Sequence, residues 1–221
     1  MSQFTFSPGR YRDRWFCYLD LLGFTALVGS QHIEDVMLGY GDALTDLRQS
    51  KSPIHAKKIL YSWFSDTFII YSTGDTPAHF AAVEQVSRLF FQKLVLRGVP
   101  VRGALTHGPL YSQARRNIFV GPALIEAYRH AENQNWLGFV LTPSAIAKMA
   151  AINLPASERP FYRTVPPDHM HTPCAESVLG FAFNNGLVQG KNPFRQALNA
   201  MRDRSQPEFR GKYDRTLDFI V

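Results

Sequence analysis

The stretch "WFCYLDLLGF", residues 15 to 24, sets the tightest limit on what this chain can fold into. Trp15 to Leu19 reads as a buried strand of aromatic and aliphatic residues with one cysteine, and Asp20 stands at its end. A carboxylate taken out of water without a partner is costly, so it is neutralised, paired or bound to a metal ion. Leu21 and Leu22 follow, then Gly23 and Phe24. A glycine there lets another group approach the backbone closely. The amides of Leu22, Gly23 and Phe24, just ahead of an expected helix, suit phosphate oxygens.

A second carboxylate fits beside the first. "HAKKILYSWFSDTFIIYSTGD" contains two strand-forming runs that meet at Ser65-Asp66, a hairpin with Asp66 in its turn. In a split β-α-β sheet, a strand end and a hairpin turn lie side by side on adjacent central strands. Two carboxylates placed so form an oxygen site for Mg²⁺ or Mn²⁺, and such pairs typically hold two ions across a phosphoryl group. The ordinary alternative is that each Asp is paired or caps a turn, Asp66 especially.

The remaining elements follow from periodicity and punctuation. From Thr25 to about Arg48, Leu27, Ile33, Val36, Met37, Tyr40, Leu44 and Leu47 recur at helical spacing. Thr76-Pro77 opens a helix that runs to about Arg97 and stops at Gly98. "VPVRGALTHGPLY" is a strand expected to end in a Gly-Pro turn, with His107 in that turn, and a short strand follows at 118–120. Pro122 starts a helix with Leu124, Ala127, Tyr128 and Ala131 on one face; "LGFVLT" is a strand and "PSAIAKMAA" a short helix. Residues 150–190 are Pro-rich and irregular, with a strand near "SVLGFAF", and 193–221 form a helical tail. This order predicts an α+β sandwich of ferredoxin-like type with a mainly antiparallel sheet and a C-terminal helical extension. No linker divides the chain, so the expectation is a single domain over 1–221, its core at about 14–150 and its extension at about 151–221.

Composition narrows the function classes. With 45% apolar and 19% charged residues the chain has material for a sizeable core. Its formal net charge of +6 suits an anionic ligand such as a nucleotide. The cations are scattered rather than gathered into a stripe, with Arg115-Arg116 the strongest cluster, so no polymeric nucleic acid is expected. Two cysteines make no disulfide framework, and Cys17 reads as a small buried hydrophobe. No apolar run nears membrane-spanning length and the N-terminus lacks the apolar core of a signal peptide, which gives the expectation of a cytoplasmic protein without direct membrane insertion.

Four segments together resemble the class III nucleotide cyclase catalytic domain. "LDLLGFT" resembles its first-strand signature, and "WFSDTFIIYS" its hairpin with a metal-binding Asp in the turn. "VPVRGALTHGPLY" resembles the strand and turn that follow, and "FVGPALIEAYRHAE" the helix that carries an arginine. These pieces occur in order over about residues 15–142. Within that family the chain most resembles the bacterial pyrimidine cyclases of the Pycsar anti-phage system, through "RGALTHGPLY", "GPALIEAY" and the tail "GKYDRTLDFI".

The resemblance implies roles. Asp20 and Asp66 match the metal-binding aspartates, the carbonyl of Leu21 a backbone ligand, and Leu22, Gly23 and Phe24 the phosphate turn. Arg129 matches the arginine that stabilises charge at the α-phosphate, and Arg115 or Arg116 a phosphate-binding basic position. The asparagine usual four residues before that arginine is replaced by Ile125. The two base-reading positions hold Ser62 and Ile118, which lack the charged or amide contacts that read a purine; a smaller base fits such a site. The implied activity is cyclisation of UTP to 3',5'-cyclic UMP and pyrophosphate with two Mn²⁺ or Mg²⁺ ions per site. The alternatives are a cytidylate cyclase making cyclic CMP and a non-catalytic nucleotide-binding module; a polymerase or diguanylate-type enzyme would carry a Gly-Gly-Asp/Glu-type turn where this chain has "FSDTF". In this family the aspartates and the arginine of one site come from different subunits, which implies a homodimer with shared sites. The product would act on a separate cyclic-nucleotide-responsive effector in antiviral defence.

Overall fold

The apolar run around Asp20 is the middle of a sheet. A computed structural model of the chain describes residues 10–23, 41, 42, 45, 57–154, 161–183 and 192–220. The first strand, β1 (Arg12–Leu21), is buried from Trp15 through Asp20, so both of its faces are covered. It lies between β3 (Thr67–Ser72) and β4 (Val101–Gln113), antiparallel to each. The sheet order is β2-β3-β1-β4-β6-β8-β7, with β2 Ile59–Phe64, β6 Phe139–Leu141, β7 Tyr162–Thr164 and β8 Leu179–Phe181; β5 (Ile118–Val120) pairs with the far end of β4. Every adjacent pair is antiparallel except β4 with β6. This is the α+β sandwich with a mainly antiparallel sheet that the sequence predicts.

Helices cover the two faces and divide β1 by residue parity. The long α1 (Pro77–Leu96) packs on the face of Trp15 and Cys17: the Trp15 ring sits 4.6 Å from that of Phe80, and the Cys17 thiol meets Ser87. Burial pushes that thiol up to about 12, which leaves it an inert core group. Gly98 ends the helix at φ +74, with its N–H bonded back to Val95 and that of Val99 to Leu94. The other face, carrying Tyr18 and Asp20, is covered by α2 (Pro122–Glu132).

Three expectations are corrected. On α2 the buried stripe is Ala123, Ala127 and Ala131, while Tyr128 stands half-exposed with its ring edge-on to Tyr18. Small residues let the helix sit close to the sheet, and a tyrosine ring has no room beneath it. Second, β4 runs through Gly108-Pro109 to Gln113 instead of turning there, so His107 lies within a strand. Pro109 is tolerated because β4 has by then run beyond its pairing with β6, leaving one edge open. Third, β7 arises inside the stretch expected to be irregular; it is three residues long and pairs only with β8, too brief for a period to register. The helix expected from Thr25 to Arg48 lies outside the described residues apart from 41, 42 and 45.

The C-terminal tail is two helices, α4 (Pro193–Arg204) and α5 (Arg210–Phe219), after the short helix α3 (Pro143–Ala151). Buried Tyr213, Thr216, Leu217 and Phe219 hold α5 down. Phe219 stacks on Trp136 at 4.5 Å, and Thr216 Oγ1 accepts from the Leu137 amide at 2.9 Å. Among the described residues no helix is long and apolar enough to cross a membrane.

At Gly103 in β4 an added methyl group would collide with the Leu19 side chain and lie 2.9 Å from the Tyr18 carbonyl oxygen. Gly103→Ala is therefore expected to cost about 1–3 kcal/mol of unfolding free energy, read as a lower urea midpoint at unchanged slope.

Candidate functional site

Asp20 is the last buried residue of β1, 9% exposed, on the face that α2 covers. In the ladder it lies opposite Thr67 on one side and Arg102 on the other. Arg102 donates to its Oδ2 through Nε at 3.1 Å and approaches it with Nη2 at 3.0 Å. The same guanidinium reaches the end of α2, where Nη1 donates to the Glu132 carbonyl at 3.1 Å and Nη2 to its carboxylate. A cation against the last carbonyls of a helix is favourably placed. Burial nonetheless outweighs Arg102 and holds the Asp20 carboxyl up at about 6, with Glu132 and Asp66 adding to the rise.

Asp66 stands beside it by backbone contact. The β2–β3 hairpin turns at Ser65, φ 55, and the Leu21 amide donates to the Asp66 carbonyl at 3.0 Å. Asp66 lies close enough for its charge to be felt at Asp20, and Tyr18 senses both carboxylates. Gly23 has φ +75, a left-handed backbone natural to glycine, with open space where a Cβ would stand. The Leu22 amide does not face a ligand as expected: it donates to Pro100 O at 2.9 Å. Phe24 lies outside the described residues.

The donor set fits a hard divalent cation. Two carboxylates and the Leu21 carbonyl are all oxygen ligands, the kind Mg²⁺ and Mn²⁺ take. Arg102 makes both contacts through Oδ2 of Asp20, so among the described residues Oδ1 remains unengaged. No three His, Cys, Asp or Glu side chains gather into a metal cage among the described residues. An ion here would complete its shell with water and substrate oxygens.

The other expected residues fall in two places. Ser62 on β2 donates to Asn117 Oδ1 at 2.7 Å, which brings it beside Ile118 at the start of β5. Arg115 and Arg116 occupy the 3-10 turn Ala114–Arg116 just before, and Arg116 is exposed. Arg129 is exposed on α2. Its two candidate acid partners are engaged elsewhere: Glu132 with Arg102, and Glu126 with Thr106 Oγ1 at 2.7 Å and the Ser144 amide at 3.2 Å. His169 of the "HMH" tract is structural, its Nε2 at 2.9 Å from Arg215 O and its ring against Trp136.

Arg102 is the functional candidate that the motif reading passed over. A single arginine inside an apolar strand run signals a buried cation that needs a partner. An apolar surface surrounds the hairpin and α2: Phe64 is 78% exposed, and Trp63, Val120, Ile125 and Tyr128 are all substantially exposed.

No protein-family model matches the chain, and no curated protein matches it. Solved structures do match. The monomeric guanylyl cyclase domain of the RhoGC fusion protein from the aquatic fungus Blastocladiella emersonii gives a TM-score of 0.59 at 12% identity, covering 79% of this chain and 98% of that one. The guanylate cyclase domain of RhGC from Catenaria anguillulae, solved in complex with GTP, gives 0.58 at 12% identity over 78% and 97%. The adenylyl cyclase CyaB from P. aeruginosa gives 0.53 at 10% identity over 84% and 98%. The chain therefore has the fold of guanylyl and adenylyl cyclase catalytic domains.

Because the folded-state value for Asp20 lies near 6 and the unfolded value near 4, the protonated carboxyl stabilises the fold fully below about pH 4 and loses that contribution as pH rises through about 6. Urea midpoints of the metal-free protein should fall relative to Asp20→Asn across that window; a constant difference would contradict the burial of Asp20. At pH 7, Arg102→Met is expected to cost about 3–5 kcal/mol, with part of the loss recovered when Asp20→Asn is added.

Proposed function

We propose that this protein is a metal-dependent nucleotide cyclase that converts UTP to 3',5'-cyclic UMP and pyrophosphate. What supports the reading is Asp20 at the end of β1 with the Asp66 backbone bonded to the adjacent Leu21, next to the Gly23 turn, on a fold of this kind. In the reaction the ribose 3'-oxygen attacks the α-phosphorus, the bond from that phosphorus to the oxygen bridging the β-phosphate breaks, and the 3'-hydroxyl proton leaves to solvent. Two divalent cations, Mn²⁺ or Mg²⁺, would supply the Lewis acidity that makes the 3'-hydroxyl a nucleophile and neutralises the triphosphate.

The chain's own groups divide the remaining work. Asp20, Asp66 and the Leu21 carbonyl would hold the cations, Asp20 as the ionised carboxylate. Arg102 fixes the Asp20 carboxylate through Oδ2 and leaves Oδ1 for a ligand. The Gly23 amide lets phosphate oxygens approach the backbone. Arg129 stabilises the charge that develops at the α-phosphate. It does so across a homodimer: Trp63, Phe64, Val120, Ile125 and Tyr128 form the apolar face that a second copy covers, and each site draws its arginine from the other subunit.

The absence of a charge or amide at Ser62 and Ile118 favours a small base, and Asn117 already occupies the Ser62 hydroxyl. CTP is the nearest competing substrate. Arg116, exposed in the turn just before Ile118, or Arg115 in the same turn, is the phosphate-binding candidate. The cyclic product would act as a messenger on a separate effector in defence against phage. One observation favours a second reading, a nucleotide-binding module without turnover: Arg102 already neutralises Asp20 as a cation would.

Incubation with each of the four nucleoside triphosphates and Mn²⁺ separates these readings. Cyclic product from UTP is the expected result; none from any triphosphate would favour the binding module. Asp66→Ala and Arg129→Ala should each be inactive, and mixing them should restore about one quarter of wild-type activity through the mixed dimers that keep one intact site. Full activity in either variant alone refutes its assigned role.

A further inference from the structure

The C-terminal helices close a cavity against the turn that follows Asp20. The cavity is about 380 Å³ and has Leu22, Gly23 and Pro100 on one side and Arg204, Phe209, Lys212 and Tyr213 of the tail on the other. Its lining includes two cations, the polar Ser205 and Gln206, and no carboxylate. Lys212 is half-buried at its wall and forms no ion pair among the described residues. It lies within electrostatic range of the Asp20–Arg102–Glu132 cluster: burial and Arg102 lower its pKa, while Glu132 and Asp20 oppose that change, and Arg215 on its own helix acts with Arg102. The anchoring is firm, because Thr216 one turn later donates to the Lys212 carbonyl at 2.8 Å and accepts from the Leu137 amide.

Charge balance gives these cations a task. Around the end of β1, three carboxylates (Asp20, Asp66 and Glu132) face one guanidinium, and that guanidinium is already bonded to two of them. A polyanion laid on the Gly23 turn therefore lacks an uncommitted side-chain cation on the sheet itself. The tail supplies two at the rim of the same turn.

We propose that Lys212, assisted by Arg204, binds the terminal phosphates of the nucleotide, so that the C-terminal helix pair is part of the substrate site and not only packing. This rests on the cyclase reading for the identity of the ligand, a linear polyphosphate carried by a nucleoside. Lys212 then holds the pyrophosphate that departs when the α-phosphorus bond breaks, and the proton balance of the reaction is unchanged. Phe209 and Tyr213 exclude water from one side of the anion, which strengthens its contact with the ammonium.

The test is calorimetric titration of Mg²⁺-tripolyphosphate into the full chain, followed by displacement with each nucleoside triphosphate. Wild type should bind at one site per chain. Lys212→Met, which keeps the apolar stem, should lose about ten-fold or more in affinity, as for one charge-assisted contact, and Lys212→Arg should recover most of it. Should Lys212→Met fail to fold by thermal melting, Arg204→Gln at its exposed position carries the same expectation of weaker binding. Unchanged affinity in the folded charge-removing variants, no binding to wild type, or tripolyphosphate that no nucleotide displaces would each overturn the proposal. The two readings fail separately. Lys212-dependent, nucleotide-displaceable binding without any cyclic product ends the cyclase reading and keeps this site. Cyclic product with wild-type affinity and KM in Lys212→Met ends this site and keeps the cyclase.

Discussion

The buried ion pair between Asp20 and Arg102 is the constraint around which the rest of the site is arranged. Two charged groups within a sheet are tolerable only when geometry and extra hydrogen bonds offset their lost hydration. Here the extra bonds come from Glu132 and the carbonyl end of α2, so the helix must lie close to β4. The alanines at 123, 127 and 131 permit that approach, and β4 meets β1 closely at Gly103. Electrostatics, helix seating and strand packing are thus parts of one requirement.

That arrangement leaves Asp20 poised between two states. Paired with Arg102 and pressed by burial, its carboxyl stays near 6, where a modest change in surroundings decides whether it is ionised. A divalent cation between Asp20 and Asp66 would favour the ionised form and relieve the mutual repulsion of the two carboxylates.

The apolar surface at the hairpin and on α2 completes the same picture from outside. Phe64 at 78% exposure, with Trp63, Ile125 and Tyr128 also well exposed, is apolar surface of the kind that marks a docking face. Arg129 shares α2 with two of these residues and has no acid partner of its own among the described residues. A second copy on this face would cover the rings and place the arginine where phosphate charge develops.

Strand and hairpin signals in residues 15–21 and 55–75 place Asp20 and Asp66, because a carboxylate ending an apolar strand and a polar turn between β-rich runs are local facts. The Thr76-Pro77 start and Gly98 stop of α1 were equally local. Arg102 and Lys212 were not legible in the same way. Each gains its meaning from partners 82, 30 or more positions away, and neither spacing nor periodicity encodes which cation reaches which acid. The packed face of α2 was legible only in part: Ala127 and Ala131 lie on it, but helical spacing alone does not say that Tyr128 falls outside it. The sequence by itself determined most of the elements (not β7, nor the passage of β4 through Gly108-Pro109), the α+β class and the two candidate metal carboxylates, because those depend on neighbouring residues. Only the tertiary structure decided that Arg102 grips Asp20, that α2 seats on alanines and that the tail brings Lys212 to the Gly23 turn, because long-range packing selects among charges that are equivalent along the chain.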